Sequence, residues 1–356
     1  MIAPAPGIAK SCRYGTHRVI EPAGALPQAA WRLDNTPAAR ENEILCAVDA
    51  LSIDSASFRQ LREAAHDDPR KVGEAIMETV ATRGKQHNPI TGSGGMFVGR
   101  VLDVGSQLAN ACEVQIGDRL ASLVSLTLTP LHLERIRSID LNTARVDVEG
   151  RAILFACAHF ARLPDDIPTS VALAVLDVAG APAQVRRLAH TGSTVVVIGA
   201  DGKSGLLACA QAKARVGSIG RVIGIAPDAQ SRGAQLLRSL DLVDDFIEAD
   251  ARYAGTLLEI LPERIPGLAD LVVNCVNVPG TEQASILCAR DEGTVYFFSM
   301  CTSFTAAALG AEGVGKDVTM IVGNGFTKGH AELALDTLRA NRPLLDYFTE
   351  TYGKPA

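Results

Sequence analysis

The sequence lacks any cysteine pair spaced as CxxC, although it contains eight cysteines among its 356 residues. Zinc ribbons and disulfide frameworks depend on regularly spaced cysteines, so neither is expected here. Several of the cysteines, such as Cys46 and Cys275, lie within apolar runs. We therefore expect reduced, buried thiols and a cytoplasmic protein.

Long apolar runs and an excess of positive charge are also missing. The longest runs, such as residues 195–200, end within a few residues at Gly, Asp or Lys, and none reaches the roughly 20 residues needed to cross a bilayer. The first ten residues lack a charged segment followed by an apolar one, which argues against a secretory signal. The net charge is −6 at pH 7. Neither a membrane nor a nucleic acid is therefore expected as a partner.

The length and the patterning predict two domains. Residues 1–165 combine turn residues with short strand-like runs at 43–53, 97–104 and 119–126. Asp68 and Pro69 look like the N-cap and the first residue of a helix that continues at helical spacing to about Arg83. This helix could form an oligomer contact, a lid or an ordinary amphipathic surface helix.

From about residue 166 the sequence alternates strands with helices. Strands are predicted at 193–198, 221–225, 245–247, 271–275 and 294–298, and helices at 171–178, 203–216, 231–240, 254–261 and 281–289. This alternation predicts βαβ units, a parallel sheet and the α/β fold class. The last segment, 311–356, is expected to return to the first domain, although its strand at 318–322 could also extend the sheet.

The strongest local signal is a glycine-rich turn that follows the apolar strand 193–198 and precedes a helix. In a dinucleotide-binding turn, one glycine permits the tight bend, one lets the backbone approach a diphosphate, and one lets helix and strand pack closely. The amides and the positive dipole at the helix start then hold the phosphates. The candidate cofactor-binding residues are Gly199, Ala200, Gly202, Lys203, Ser204 and Gly205. The alternative is a tight turn with no ligand.

The choice between NAD and NADP depends on the end of the second strand. An acid at that point normally binds the ribose 2′-hydroxyl. Here the position after Ile225 is Ala226, and Asp228 comes two residues later. Asp228 on the ribose would favour NAD, whereas Ser231 and Arg232 on a 2′-phosphate would favour NADP. All three could instead cap the next helix, so the preference stays open.

Three features together resemble the medium-chain dehydrogenase/reductase superfamily. They are the β-rich N-terminal region, the GAxGxxG turn, and the run VQIGDR at residues 114–119. The resemblance implies a GroES-like substrate domain over residues 1–165, a Rossmann dinucleotide-binding domain over residues 166–310 and an NAD or NADP cofactor. It also implies a homo-oligomer, a dimer or a tetramer, by analogy.

The zinc ligands of that superfamily are missing at each matching position. Zinc members carry a cysteine after the first β element, where this chain has Asp54. They carry a Gly-His-Glu sequence where this chain has Gly95 and Met96 in place of the histidine and the glutamate. The four-cysteine structural lobe is absent as well. Because a zinc site needs three or four placed ligands, no metal is expected.

Four stretches narrow the resemblance further. They are YGTHRVIEP at 14–22, LSIDSASF at 51–58, LDVAGAPAQ at 176–184 and GADGKSG at 199–205. Together they resemble the L-erythro-3,5-diaminohexanoate dehydrogenase family. The resemblance implies oxidative deamination of the substrate's C3 amine to a ketone, with release of ammonium, in lysine fermentation. One departure is Asp201, an acid that is unfavourable beside a diphosphate unless it points to solvent or pairs with Lys203 or Arg232.

Amine oxidation suits a site without zinc. An alcohol must lose its proton to donate hydride readily, and zinc assists by stabilising the alkoxide. A neutral amine expels hydride with its own lone pair, so it needs a base for the ammonium proton and a water for imine hydrolysis. The substrate carries two ammonium groups and one carboxylate, so its pocket should offer carboxylates and at least one cation.

Candidate catalytic residues come from two places in the first domain. Asp54 matches the ligand position that lies by the nicotinamide in relatives, which implies ammonium binding or a general base; Ser55 matches a proton-relay hydroxyl. The alternatives are a turn aspartate for Asp54 and a helix N-cap for Ser55. Before the first strand, Arg18 could clamp the substrate carboxylate, His17 could relay a proton and Glu21 could meet an ammonium, with Tyr14 beside them. The alternative for this second cluster is a surface strand with solvated charges.

Three further residues are candidates in the second domain. Asp177 lies in an apolar helical run, where it could reach substrate or a water, or form a cap or an ion pair. Asn277 and Ser299 follow two strands of the sheet and could contact the nicotinamide end of the cofactor. His159 is most simply an interior histidine. The competing functions are a zinc-free quinone or enoyl reductase and a cofactor-binding sensor without turnover.

Overall fold

The chain divides into two structural units, one that ends at Thr169 and one that runs from Ser170 to Gly353. The computed structural model describes residues 12–88, 92, 94–109, 114–299, 301–323 and 325–353, without the side chains of Ser55 and Ala56. No helix within those residues is long and apolar enough to cross a bilayer. The seven cysteines among them are free thiols.

Antiparallel strands dominate the first unit. They are β1 (Val19–Glu21), β2 (Arg32–Leu33), β3 (Glu43–Ser52), β4 (Met96–Val104), β5 (Arg119–Ser122), β6 (Leu131–Asp140), β7 (Arg145–Phe155) and β8 (Phe160–Arg162). Six of them form one sheet in the order β6-β7-β3-β4-β5-β8, and β1 pairs with β2. Two helices, α1 (Ser55–Ala65) and α2 (Pro69–Arg83), interrupt the strands.

Helix α2 shows how local residue choice sets the bounds of an element. The side chain of Asp68 accepts a hydrogen bond from the amide of Arg70, Pro69 occupies the first turn, and Gly84 ends the helix in the left-handed conformation. The residues at helical spacing on its inner face, Val72, Ile76 and Val80, are buried. The helix predicted over residues 69–83 is confirmed.

The second unit is a parallel sheet with helices. Its strands are β9 (Thr194–Ile198), β10 (Arg221–Ala226), β11 (Asp245–Glu248), β12 (Ala269–Asn274), β13 (Ala289–Phe297) and β14 (Val318–Val322). Its helices are α3 (Thr169–Leu176), α4 (Gly180–Leu188), α5 (Lys203–Val216), α6 (Arg232–Ser239), α7 (Ala254–Arg264), α8 (Glu282–Cys288), α9 (Phe304–Val314), α10 (His330–Arg339) and α11 (Arg342–Tyr352). The strand order, β11-β10-β9-β12-β13-β14, is that of a Rossmann sheet.

Burial explains why the sequence of β9 is apolar throughout. Its neighbours β10 and β12 both run parallel to it, and Val195 to Ile198 are at most 1% exposed. A central strand that is covered on both faces cannot alternate apolar with polar residues. The carboxyl end of this strand is therefore positioned by the core of the unit.

The C-terminal segment differs from the expectation that residues 311–356 return to the first domain. Strand β14 pairs in parallel with β13, which extends the sheet by one strand. Helix α10 contacts α4 and α5, and the amide of Gln211 on α5 donates to the Thr337 hydroxyl at 2.7 Å. Through Gly353, this segment therefore lies in the second unit.

A buried ion pair holds the N-terminal segment of the first unit against the start of β3. Glu43 is fully buried, and Arg18 (1% exposed) donates to its two oxygens at 2.9 and 2.6 Å. The ring Nε2 of His17 lies 2.7 Å from the same carboxylate. The remaining guanidinium N–H groups reach the carbonyls of Thr36 and Ala38. Every partner that a buried charge needs is thus supplied by the protein.

Replacement of Glu43 by Gln should destabilise the first unit by about 3–5 kcal/mol, because Arg18 stays buried without its counter-charge. Burial raises the pKa of Glu43, but hydrogen bonds from Arg18 and His17 outweigh it and lower the pKa from 4.5 to about 2. The stabilisation is therefore complete above pH 4.5 and is lost as the pH falls towards 2. Urea unfolding of wild type and variant at several pH values measures both effects.

Trp31 gives a local readout for this experiment. It is the chain's one tryptophan, and the Arg83 guanidinium lies 3.8 Å from the centre of its ring. Glu149→Gln is the matched control, since Glu149 pairs with Arg135 at the surface, where an ion pair contributes little. Equal urea midpoints for Glu43→Gln and wild type would show that the buried pair does not hold this segment.

Candidate cofactor and substrate sites

The turn between β9 and α5 has the backbone geometry that its glycines predict. Gly199 has a φ of +76°, a conformation that residues with side chains rarely adopt. The amides of Gly199 and Ala200 donate to the carbonyl of Ile225 at 2.8 and 3.2 Å, which fixes the turn against β10. Gly202 then forms the N-cap of α5.

Gly202 and Gly205 have different surroundings. A Cβ on Gly205 would lie 2.1 Å from the carbonyl oxygen of Gly199, so only glycine lets α5 approach the turn this closely. A Cβ on Gly202 would meet no atom closer than the Gly199 oxygen at 3.6 Å. The turn is therefore open beside Gly202, where the first amides of a helix lack intrahelical acceptors. This opening fits a diphosphate group.

A cavity of about 250 Å³ opens at the carboxyl ends of β9, β10 and β12. Its lining is largely apolar and includes Ile198, Gly199, Ala226, Pro227, Val276 and Val278, together with the ion pair of Asp250 and Arg252. Ligands of open parallel sheets bind at this edge. The cavity adjoins the glycine turn, so its position and its apolar lining suit the adenosine part of a dinucleotide.

The three residues proposed for the ribose have separate partners. Asp228 accepts a hydrogen bond from the amide of Gln230 at 2.7 Å. Ser231 caps α6 by accepting from the amide of Ala234 at 3.2 Å. Arg232 forms an exposed ion pair with Glu350 at 2.5 Å. Only Ser231 of the three is the N-cap of α6.

Lys203 and Asp177, which were predicted to have different roles, form an ion pair. The Lys203 Nζ lies 2.5 Å from an Asp177 carboxylate oxygen, which joins the start of α5 to the residue after α3. Ser204 is buried, and its side chain hydrogen-bonds with Cys275. The side chain of Ser204 therefore serves packing, and only its backbone amide is left for a phosphate.

Two predicted residues meet where β12 and β13 end. The Ser299 hydroxyl lies 3.4 Å from the Asn277 side-chain oxygen, and it accepts from the amide of Cys301 at 3.1 Å. The sequence analysis missed the buried Asn274, which donates to the Thr281 and Ser285 hydroxyls at 2.8 Å each. The sequence signal for Asn274 is its position as a polar residue at the end of the apolar strand β12.

The N-terminal cluster of Tyr14, His17, Arg18 and Glu21 is not arranged as a substrate clamp. Arg18 and His17 are committed to Glu43, and the second ring nitrogen of His17 accepts from the amide of Cys12 at 3.0 Å. Tyr14 and Glu21 are exposed. The N–H groups of Arg18 donate to acceptors within the first unit. This geometry argues against a role for Arg18 in binding a substrate carboxylate.

Only one of the two carboxylate oxygens of Asp54 has a hydrogen-bond partner among the described residues. One carboxylate oxygen accepts from the amide of Ser57 at 2.9 Å and so caps α1. The other oxygen is buried and has no hydrogen-bond partner among the described residues. A buried acceptor without a donor is unfavourable unless a ligand supplies one. The side chain of the next candidate, Ser55, lies outside the described residues.

Backbone packing closes the position that matches the zinc-ligand histidine. Gly95 has a φ of +86°, and a Cβ there would lie 2.1 Å from the carbonyl oxygen of Ser52. Met96 begins β4 and is 6% exposed, so its side chain belongs to the core. Among the described residues, no group of three His, Cys, Asp or Glu side chains could hold a metal ion.

The sequence analysis also missed a polar segment after α2. Gln86 is 3% exposed, and its side-chain oxygen has no partner within the described residues. Its backbone carbonyl packs against Gly94. Asn88 donates to Gln60 of α1 at 2.8 Å. The signal was the polar run KQHN at residues 85–88, directly after the helix-ending Gly84.

Two histidines of the first unit have lowered pKa values. His159 is exposed, so the prediction of an interior histidine is wrong, although partial loss of hydration still lowers its pKa. Burial and the nearby charges of Arg83 and Lys85 lower the pKa of His87 to about 4, and His87 hydrogen-bonds with Thr127. Neither residue is a cation near neutral pH.

Comparison with known proteins identifies the family. The family model named L-erythro-3,5-diaminohexanoate dehydrogenase N-terminal domain matches residues 17–164. The chain is 50% identical over 344 residues to the L-erythro-3,5-diaminohexanoate dehydrogenase of Acetoanaerobium sticklandii, covering 96% of this chain and 99% of that protein. The chain belongs to the L-erythro-3,5-diaminohexanoate dehydrogenase family. The Fusobacterium nucleatum protein of that name is 48% identical over 343 residues, with the same coverage.

Solved structures share the fold of this L-erythro-3,5-diaminohexanoate dehydrogenase family member. The quinone oxidoreductase from Coxiella burnetii matches with a TM-score of 0.54 at 18% identity, over 86% of this chain and 81% of that one. CurK enoyl reductase matches with a TM-score of 0.52 at 16% identity, over 88% and 79%. At such identities the likeness shows the fold alone. The predicted family and α/β fold class are confirmed.

Replacement of Gly202 by Val should abolish dinucleotide binding with little loss of stability, because the added side chain enters only the open side of the turn. Gly205→Ala should instead lower the free energy of unfolding by about 1–3 kcal/mol, through the clash with Gly199. Calorimetric titration with NAD and NADP, together with thermal unfolding, measures both. Gly313→Val is the matched control, since nothing lies within 4 Å of a Cβ there. Wild-type nucleotide affinity in Gly202→Val would remove this turn from the cofactor site.

Proposed function

We propose that the chain catalyses the NAD(P)-dependent oxidative deamination of L-erythro-3,5-diaminohexanoate to 5-amino-3-oxohexanoate, a step of lysine fermentation or degradation. Family membership supports the substrate. Asp54 carries the proposal in the structure, because one of its oxygens is buried and lacks a donor among the described residues. An ammonium group is the complement that such an oxygen requires.

The proposed reaction balances as follows. The substrate ammonium loses one proton to a base, and the C3–H bond then breaks with loss of hydride, which leaves an iminium carbon. Water adds to that carbon, and the C–N bond breaks to give the ketone and ammonium. In total, one substrate, one oxidised nucleotide and one water give one ketone, one ammonium, one reduced nucleotide and one proton.

Asp54 is the proposed base and ammonium acceptor. Its capping bond to Ser57 holds the carboxylate in place, so the second oxygen needs no rearrangement to accept a proton. The side-chain oxygen of Gln86 also lacks a partner among the described residues. The backbone of Gln86 packs against Gly94, and the backbone of Ile53, which precedes Asp54, packs against Gly95. Ser55, Tyr14 and Glu21 remain candidates for relay or for contact with the second ammonium.

The second unit is proposed to bind the nicotinamide cofactor, which accepts the hydride. The amides at the start of α5 would hold the diphosphate, and the cavity beside Ala226 would take adenosine. Asn277 and Ser299 would contact the nicotinamide end. Lys203 would lie beside the diphosphate, and its ion pair with Asp177 would partly neutralise the positive charge of Lys203 in the unliganded protein.

We propose further that no metal takes part. The histidine position is filled by the packing of Gly95 against Ser52, and a carboxylate replaces the cysteine. Amine oxidation needs a base at this point, not a Lewis acid. A cytoplasmic homo-oligomer is the proposed working form; the free thiols of the described cysteines support a reducing compartment.

A spectrophotometric assay tests the function. Purified protein with L-erythro-3,5-diaminohexanoate should reduce NAD or NADP and release one ammonium per turnover, and a strong chelator should leave the rate unchanged. Quinones with reduced nucleotide are the comparison, because a zinc-free reductase would oxidise the nucleotide instead. Turnover of quinones alone, or a chelator effect that zinc reverses, would overturn the proposal.

Asp54→Asn should lower kcat/KM by about 10²–10⁴-fold, the usual contribution of a general base. Asparagine is as good an N-cap as aspartate, so α1 and the free energy of unfolding should stay near wild type. NAD(P) affinity should also be unchanged. Steady-state kinetics with the diamine substrate measures the effect.

The matched control is Asp68→Asn, which alters the N-cap of α2 in the same unit by the same chemistry. It should leave kcat/KM unchanged. If both variants behave like wild type, Asp54 has only its capping role.

A further inference from the structure

Two half-buried cysteines of the first unit have no role in the proposed reaction. Cys12 precedes the short helical turn Thr16–Arg18, and Cys157 lies two residues after the end of β7. Four other cysteines are buried, and burial raises the pKa of each of their thiols: Cys46, Cys209, Cys275 and Cys288. Cys12 and Cys157 are therefore accessible to reagents that do not reach these four thiols.

The backbone brings Cys12 and Cys157 close together. The amide of Cys157 donates to the carbonyl of Arg13, the residue after Cys12, at 3.2 Å. Close by, a Cβ on Gly15 would lie 2.3 Å from the ring of Phe155, the last residue of β7. The segment that carries Cys12 thus packs directly against the segment that carries Cys157.

Cys12 is also held within its own segment. Its amide donates to the ring of His17 at 3.0 Å, and the other ring nitrogen of His17 lies 2.7 Å from the buried carboxylate of Glu43. The carbonyl of Cys12 accepts from the amide of Gly15 at 2.9 Å. The buried ion pair of the first unit therefore helps to set the position of Cys12 beside the end of β7.

The two thiols differ in how readily they ionise. Burial raises the pKa of Cys12, but hydrogen bonds from the Thr16 hydroxyl and from neighbouring backbone amides outweigh it, so the pKa lies below its ordinary value. Burial raises the pKa of Cys157, and a negative charge on Cys12 raises it further, which the charge of Arg13 only partly offsets. Because the thiolate is the nucleophilic form of cysteine, Cys12 should react first.

We propose that Cys12 and Cys157 form a peroxide-sensitive thiol pair, which closes to a disulfide and ties the N-terminal segment to the end of β7. An accessible thiol of low pKa beside a second cysteine is the usual arrangement of a redox sensor. The disulfide also protects Cys12 from irreversible oxidation. The inference is independent of the proposed function, since neither thiol takes part in amine oxidation.

The reaction uses hydrogen peroxide as the oxidant and balances in two steps. The Cys12 thiolate attacks one peroxide oxygen, so that an S–O bond forms, the O–O bond breaks and hydroxide leaves as water, which oxidises the sulfur to a sulfenic acid. The Cys157 sulfur then attacks the Cys12 sulfur, the S–S bond forms and the S–O bond breaks with loss of a second water. In total, two thiols and one peroxide give one disulfide and two waters.

Peptide mass spectrometry of the full chain tests the pairing. Reduced wild-type protein is treated with an equimolar amount of hydrogen peroxide and then alkylated. Two of the chain's eight cysteines should become resistant to alkylation, and they should appear in one cross-linked peptide that joins Cys12 to Cys157. Dithiothreitol should restore both thiols. A disulfide that includes another cysteine, or oxidation of Cys12 to a sulfinic acid in place of a disulfide, would overturn the proposal.

Two variants separate the roles of the pair. Cys157→Ser should stop at the sulfenic acid of Cys12, which dimedone traps, whereas Cys12→Ser should lose thiols to peroxide at least about tenfold more slowly than wild type. Cys301→Ser is the matched control, a half-buried cysteine of the second unit, and should react like wild type. Equal rates for Cys12→Ser and wild type would refute the assignment of Cys12 as the reactive thiol. The mapping of wild type remains decisive should a variant fail to fold.

Discussion

The close contact between α5 and the end of β9 is the constraint on which the second unit depends. Because Gly205 has no side chain, the start of α5 lies against Gly199, and its first amides face the open side of Gly202. The same turn is held from the other side, where Gly233 lets α6 reach the Asp201 carbonyl. The space for a diphosphate and the contact between Asp201 and the α6 cap therefore have one origin, which is the absence of side chains at two helix starts. The positions of α5 and α6 are therefore coupled through this turn.

Buried charge has two distinct uses in the first unit. Glu43 receives hydrogen bonds from Arg18, His17 and the amide of Arg40, so its negative charge is fully compensated. Such a group stabilises the fold and has nothing left for a ligand. Asp54 receives one bond from Ser57, and its second oxygen stays without a donor among the described residues. The count of hydrogen-bonded oxygens, more than the residue type, separates the structural carboxylate of Glu43 from Asp54, the carboxylate proposed to bind substrate.

The sequence predicts features that depend on neighbouring residues, but it does not predict ion pairs between residues far apart in the chain. The Asp68–Pro69 cap and the apolar strand before Gly199 depend on neighbouring residues, so helix α2 and the cofactor turn were predictable. Arg18 was assigned to substrate because its partner Glu43 lies 25 residues away. Arg232 was assigned to phosphate, yet its partner Glu350 lies 118 residues further on. The placement of β14 depends on sheet pairing, which the apolar pattern alone leaves open. Charged residues are the hardest to assign, because their role depends on whether the fold provides a partner.

The close packing at Gly95 supports both the proposed absence of a metal and the proposed chemistry. A histidine at position 95 would require a side chain where the backbone of Ser52 lies, so the metal position cannot be restored by one substitution. The end of β3 and the start of β4 pack too closely for it. Gly95 also packs against Ile53, the buried residue that follows β3, and one carboxylate oxygen of the next residue, Asp54, is buried without a donor among the described residues. Such an oxygen could only remove a proton from an alcohol. It could bind an ammonium group through a charge-assisted hydrogen bond and also accept its proton. The packing at Gly95 and the unpartnered oxygen of Asp54 among the described residues both support the proposed amine substrate.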